Sequence, residues 1–202
     1  MPKDEIVLPF PVPRHLVKTV TRVRSGLICS SMVGLRMQGH FDRYYEMLPP
    51  EHRARILELT AAEWVEPELA TVHYEACEAL GMPVEEQVAN GMHVAQRLQQ
   101  GFLSVMLRGA IEAGVTPWSV LVRYQRLWER YFDGSAIEVR KRGPKEARAE
   151  LVGFPLARIE YIRNGVAGVV RGVTELVARR VYVNRVEAAC TPTSLVYTLS
   201  WV

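Results

Sequence analysis

The clearest pattern of apolar and polar positions lies near the C-terminus. From Ile159 to Val177, valine and isoleucine recur at spacings of three and four residues, which predicts an amphipathic helix. Pro155 suits its first turn, because the missing N–H of proline is not needed there. Glycines are costly inside a helix, so those in this run indicate a close approach by another backbone or by a ligand. They are Gly165, Gly168 and Gly172.

Two alternating runs follow this helix. Over 181–186 and 195–201, β-branched, aromatic and leucine residues alternate with polar ones. The turn at 191–194 separates the runs. Both are therefore predicted to be half-buried antiparallel strands.

A β-hairpin is predicted before the helix, where residues 136–140 and 147–152 flank Gly143-Pro144. Its tip carries the densest basic cluster of the chain. This cluster is either a solvated tip or a site for an acidic partner, a nucleotide or a membrane phosphate. It comprises Arg140, Lys141, Arg142, Lys145 and Arg148.

Helices dominate the preceding part of the chain. Apolar residues at helical spacing predict helices over 27–37, 40–48 and 67–80, and the longest such pattern runs from Val84 to Ala113. Thr116-Pro117 begins a further predicted helix that continues to Phe132, with threonine as the cap and proline in the first turn.

The domain organisation predicted from these elements is simple. Residues 1–24, broken by prolines, form an extended arm that can dock on a surface or on a second subunit. Residues 25–202 form a single ligand-binding-like domain. The predicted fold class is α+β. A helical N-terminal part is followed by an antiparallel sheet, which consists of the hairpin and the two closing strands, with the long helix between them in the sequence.

Composition narrows the class of protein. The 202 residues are 49% hydrophobic and 23% charged with a net charge of +3, which fits one domain and gives little reason to expect nucleic acid binding. Cys29, Cys77 and Cys190 show no CxxC spacing, which is typical of a reducing cytoplasm. No apolar run approaches the roughly 18–20 residues that cross a bilayer. We therefore expect a cytoplasmic protein without a signal peptide.

Motifs for catalysis and metal binding are not found in the sequence. There is no phosphate-binding loop, HExxH, nucleophile elbow or calcium loop. No two histidines share metal-ligand spacing, Cys77 is predicted to be a buried small hydrophobe, and Cys190 either packs or has a redox or ligand role. We expect neither a catalytic residue nor a metal or cofactor. The histidines are His15, His40, His52, His73 and His93.

One candidate site comes from large and adaptable side chains. If the two long helices pack on the sheet, these residues line a mostly apolar cavity, and the alternative is an ordinary filled core. The set is Met92, Phe102, Met106, Tyr124, Trp128, Phe132 and Phe154.

Short motifs in a fixed order carry a resemblance over about residues 25–202. The chain resembles the ligand-binding fold of vinyl-reductase-type domains, haem–nitric-oxide-binding domains and TRAPP vesicle-tethering subunits, and is most similar to a paralogous family expanded in myxobacteria. The matching segments are Gly26, Leu48-Pro49-Pro50-Glu51, Trp64 with Pro67, residues 127–132, 153–156 and 165–172, and the end at 197–201.

The resemblance implies dimers and a hydrophobic pocket used for sensing or docking. Phenol-sensing members carry a cysteine-rich zinc site near the C-terminus, but no cysteine follows Cys190 here. Haem-binding members carry a tyrosine-serine-arginine motif, and Tyr161-Ile162-Arg163 lacks the serine and the spacing. Neither zinc nor haem is therefore expected.

The leading functional hypothesis is a non-enzymatic module that binds an apolar small molecule and signals its occupancy through a homodimer. The alternative is a structural adaptor with a solid core, which binds a protein partner through a helix surface or the basic hairpin. An enzyme would need a cleft with converging polar groups, which the residue spacing does not indicate.

Overall fold

A five-stranded antiparallel sheet is the main layer of the computed structural model, which describes residues 4–98 and 116–202. Its strand order is β1-β5-β6-β8-β7. The strands are β1 (Glu5–Leu8), β5 (Ala136–Gly143), β6 (Glu146–Val152), β7 (Val181–Arg185) and β8 (Ser194–Trp201). The predicted hairpin and the two predicted closing strands are confirmed.

Register across the sheet separates an apolar face from a charged face. Ala149 of β6 lies opposite Val139 and Tyr197, and these three residues are buried. The neighbouring row pairs Arg140 with Arg148. Since successive side chains of a strand point to opposite sides, the sheet buries one face and presents a polar one.

The described helices pack against the apolar face or extend that core. They are α1 (Gly26–Met37), α2 (Phe41–Met47), α3 (Pro50–Leu57), α4 (Pro67–Glu78), α5 (Val84–Leu98), α6 (Pro117–Leu121), α7 (Tyr124–Trp128) and α8 (Glu160–Thr174). The part of the 84–113 prediction beyond Leu98 lies entirely within residues 99–115, outside the described residues. Within the described ranges, no helix has the length and apolar character needed to span a membrane.

The single helix predicted over 116–132 is wrong. Two short helices, α6 and α7, are separated at Val122 and Arg123. The chain then forms strand β4 (Phe132–Asp133), which pairs with β2 (Arg22–Arg24). Strand pairing with a distant segment therefore overrides the local helical pattern at Phe132.

The C-terminal helix begins later and ends earlier than predicted. A 3₁₀ turn spans Pro155–Arg158, and Ile159 is extended before α8 starts at Glu160. At the other end Thr174 donates its hydroxyl to the carbonyl of Val170 at 2.8 Å. The valine stripe still lies on one face of α8, as the spacing predicts.

The N-terminal segment contributes to both sheets of the fold. β1 adds an edge strand to β5, with Glu5 opposite Lys141. β2 forms the centre of a small sheet between β3 (Trp64–Val65) and β4. The separation of an arm at 1–24 from a domain at 25–202 remains a prediction. The α+β architecture with an antiparallel main sheet is confirmed.

Candidate functional site

A cavity of about 140 Å³ lies among α5, α7, α8 and the apolar face of the main sheet. Its α8 wall follows directly from the valine pattern of the sequence. Four valines, spaced so that they share one helix face, line the cavity. They are Val166, Val169, Val170 and Val173.

A cluster of three aromatic rings forms a second wall. The rings of Trp128 and Phe132 stack with centroids 4.2 Å apart, and Phe154 meets each of them edge-on at 5.2 Å. The indole N–H of Trp128 donates to the hydroxyl of Ser135 at 2.6 Å. Since the only polar atom of this wall has a partner, the rings present apolar surface to the cavity.

Two tyrosines on the wall have their hydroxyls bonded to protein groups. The Tyr124 hydroxyl lies 2.6 Å from the hydroxyl of Thr174, and Tyr197 donates to the carbonyl of Arg163 at 2.7 Å. Burial raises the pKa of both phenols above the usual value. Both side chains are therefore neutral, and their rings add to the apolar lining.

Polar side chains from three helices meet at one end of the cavity. Ser31 of α1, Asn90 of α5 and Tyr161 of α8 all line it. The Asn90 amide N–H donates to the Tyr161 hydroxyl. The Ser31 and Tyr161 hydroxyls lie 3.4 Å apart. This end, the Ser31–Asn90–Tyr161 cluster, is the most polar part of the lining.

A buried histidine and thiol lie behind this cluster. The Tyr44 hydroxyl is 2.6 Å from Nδ1 of His73, and Sγ of Cys77 is 3.7 Å from its Nε2. Burial lowers the pKa of His73 to about 3 and raises that of Cys77 above the usual thiol value. Both groups are uncharged at neutral pH, so the thiol is not an activated nucleophile.

The neutral state of His73 makes stability depend on pH. The folded protein keeps this imidazole unprotonated down to a pKa of about 3, whereas the unfolded chain takes up a proton near pH 6.5. Stability from this site is complete above pH 6.5 and falls by about 1.4 kcal/mol per unit below it. We expect a loss of about 2 kcal/mol between pH 7.5 and 5.0 in urea unfolding. The variant His73→Gln should show a much shallower slope, and parallel profiles would contradict this account.

The structure brings together four of the seven predicted cavity residues. Tyr124, Trp128, Phe132 and Phe154 line the cavity. Met92 does not, because its backbone lies against Gly168 and Gly172 of α8. Phe102 and Met106 lie outside the described residues.

Sequence reasoning missed the sheet residues and the polar end. Ala149 and Leu151 line the cavity from β6, and Asn90 and Tyr161 from α5 and α8. The alternation of apolar and polar residues in β6 could have indicated which of its side chains face the cavity. Nothing local to α5 marks Asn90 as a partner of a residue 71 positions away.

The predicted basic patch is distributed differently and is partly neutralised. Arg140 and Arg148 pair across the strands and not at the hairpin tip. Arg140 contacts Glu138 at 2.5 Å, Lys141 contacts Glu5 at 3.7 Å, and Arg142 contacts Asp4 at 3.5 Å. Lys145, in the turn, is exposed. Glu5 of β1 and Asp4, the residue before it, thus supply carboxylates to the basic strand.

Across residues 4–98 and 116–202, no group of three or more acidic, histidine or cysteine side chains is placed to hold a metal ion. Cys190 is partly buried, with its sulfur 3.4 Å from the backbone N–H of Val196. This hydrogen bond from Val196 fits the packing role, one of the two roles predicted for Cys190.

Comparison with solved structures identifies the architecture. An oxygen-binding H-NOX domain described as related to soluble guanylate cyclases aligns with a TM-score of 0.58 and 12% identity, over 88% of this chain and 94% of that one. The fold is that of the H-NOX domains. A variant H-NOX protein from K. algicida, described as Fe(II) unliganded, aligns with a TM-score of 0.64 and 6% identity, over 89% of this chain and 96% of that one.

A third H-NOX structure, from work on haem distortion, gives a TM-score of 0.63 and 13% identity, over 88% of this chain and 94% of that one. No family model matches the sequence, and no curated protein matches it. With identities this low, the H-NOX likeness establishes the fold alone.

Proposed function

We propose that this protein is a non-enzymatic sensing module that binds a small apolar molecule in the cavity between α8 and the sheet. The observation that carries this proposal is an apolar cavity of about 140 Å³. An apolar cavity of about 150 Å³ in another protein stays dry and binds benzene. The expected ligand is therefore about the size of a single ring.

The haem named for the structural neighbours does not fit this lining. Haem iron takes a histidine, thiolate, thioether or tyrosinate ligand. No described residue on the lining is a histidine, cysteine or methionine, and burial raises the pKa of each of its tyrosines, which therefore stay protonated. These tyrosines are Tyr74, Tyr124, Tyr131, Tyr161 and Tyr197. No arginine or lysine of the described lining can pair with the haem carboxylates. The sequence of residues 99–115 adds no histidine, cysteine or tyrosine; its one thioether is Met106 and its one cation is Arg108.

The cavity supports ligand binding over the adaptor hypothesis, because a structural adaptor needs only a filled core. The ion pairs of Arg140, Lys141 and Arg142 also leave less free charge for an acidic partner. Signalling through a homodimer, a cytoplasmic location and kinship with the myxobacterial family belong to the same proposal. The sequence resemblance supports the homodimer, the sensing role and the kinship. The cysteine spacing and the lack of a long apolar run support the cytoplasmic location.

Thermal unfolding with and without toluene tests the proposal. Because a ligand that binds only the folded state stabilises it, toluene at 100 times its Kd should add about 2.7 kcal/mol. The cavity-filling variant Ala149→Leu should lose most of this shift. Val183→Leu, on the same sheet but not on the lining, should retain it.

Solvent extraction of the purified protein followed by mass spectrometry should also recover a small apolar compound. The proposal is wrong if toluene leaves the unfolding temperature of the unsubstituted protein unchanged and the extract is empty. It is also wrong if Ala149→Leu and Val183→Leu respond to toluene in the same way.

A further inference from the structure

The polar cluster at the end of the cavity has incomplete hydrogen bonding. Asn90 is 1% exposed, yet its carbonyl oxygen has no hydrogen-bond partner within the described structure. The Ser31–Tyr161 hydroxyl distance of 3.4 Å is longer than the roughly 2.7–2.8 Å of an ordinary bond between hydroxyls. Native proteins rarely leave buried polar groups unpaired, so such a group indicates a missing partner.

The missing partner does not depend on how the Asn90 amide is oriented. Exchanging its oxygen and nitrogen would bond the oxygen to Tyr161 and leave the nitrogen unpaired instead. Either way one amide atom needs a hydrogen bond. A hydroxyl group can both donate and accept, so it satisfies either orientation.

Gly34 creates the space that holds the unpaired end of the amide. A Cβ at Gly34 would lie 1.8 Å from the Asn90 oxygen, so any side chain there would expel the amide. Ser31 lies one turn earlier on the same face of α1 and lines the cavity. The slot beside Gly34 therefore adjoins the polar end of the cavity.

We infer that the ligand carries one hydroxyl group on a small apolar body, and that this hydroxyl binds at the Ser31–Asn90–Tyr161 cluster. This inference rests on the proposed function. The apolar body lies against the valines of α8 and the rings of Trp128 and Phe132. Carboxylates and ammonium groups are excluded, because the described lining offers no opposite charge to pair with them. The ligand class is a neutral alcohol of single-ring size.

Benzyl alcohol and ethylbenzene form a matched pair of probes, since a hydroxyl in one replaces a methyl in the other. A wholly apolar pocket would disfavour such a hydroxyl isostere by roughly 100-fold. We expect the unsubstituted protein to bind benzyl alcohol at least as tightly as ethylbenzene by isothermal titration calorimetry. In Asn90→Leu, ethylbenzene should bind with little change while benzyl alcohol weakens by about 10- to 100-fold.

Ser31→Ala provides a second variant should Asn90→Leu fold poorly, and it should shift the preference in the same direction. Ser30→Ala is the matched control, because Ser30 is buried on α1 but does not line the cavity. It should leave the ratio of the two Kd values unchanged.

The inference is overturned if ethylbenzene binds and benzyl alcohol is about 100-fold weaker in the unsubstituted protein. It is also overturned if neither Asn90→Leu nor Ser31→Ala changes the ratio. Both of these outcomes leave the proposed function intact. Failure of both probes, and of toluene, would instead refute ligand binding itself.

Discussion

Replacement of Trp128 by alanine is expected to lower the free energy of unfolding by about 3–5 kcal/mol. The indole stacks on Phe132 at 4.2 Å and meets Phe154 at 5.2 Å, so its removal leaves two large rings without their neighbour. The lost indole N–H also leaves the Ser135 hydroxyl without its donor, at a residue held at a φ of 58°. Urea unfolding followed by circular dichroism measures the change.

Trp128→Phe separates packing from hydrogen bonding. Phenylalanine keeps a ring against Phe132 and Phe154 but has no N–H for Ser135, so we expect it to recover more than half of the loss. Tyr182→Ala is the control, because Tyr182 is an aromatic residue with 47% exposure on β7. Its effect should be small. Equal losses for Trp128→Ala and Tyr182→Ala would contradict the central role given to the aromatic wall.

Local periodicity predicted the C-terminal half of the fold well. The valine stripe of α8 and the alternation in β5 to β8 reflect burial on one face, which the sequence records directly. The error over 116–132 arose where contacts with a distant segment, and not the local sequence pattern, decide the structure. Phe132 has helical spacing from Trp128, but its backbone pairs with Val23 more than 100 residues away.

Side-chain size in the sequence predicted only the aromatic wall of the candidate site. Trp128, Phe132 and Phe154 were found because large rings pack near each other in most cores. The meeting of Ser31, Asn90 and Tyr161 depends on how α1, α5 and α8 cross. Likewise, the pairing of Lys141 with Glu5 depends on β1 joining the sheet edge. Neither arrangement is marked by spacing along the chain.

The fold and the contents of its cavity carry different information. The H-NOX likeness spans most of the chain, but the lining decides which ligand the fold can hold. In this protein the valines of α8 and the aromatic rings of the wall favour an uncharged ligand. The backbones of helices α5 and α8 are in direct contact. A Cβ on Gly91 would lie 2.1 Å from the carbonyl oxygen of Gly165. The glycines therefore determine how closely α5 and α8 approach each other, and so how much space remains beside them.

Gly168 lies where α8 is in backbone contact with α5. A Cβ there would lie 2.1 Å from the carbonyl oxygen of Val88 and 3.0 Å from the backbone nitrogen of Met92. Both atoms belong to the backbone of α5, so they can yield only if the helices separate. Gly165, almost one turn earlier, lines the cavity, and a Cβ added to it would meet no atom of the described residues within 4 Å.

Gly168→Ala is therefore expected to destabilise the protein by roughly 3 kcal/mol, the upper part of the range for overpacking. Gly165→Ala, the matched control, should stabilise it by about 0.5–1 kcal/mol, because alanine favours the helix and meets open space. Urea unfolding of the two variants side by side gives the comparison. The opposite signs follow from the helix contact alone, since the chemical change is identical. Equal effects at the two positions would show that α5 and α8 do not touch at Gly168.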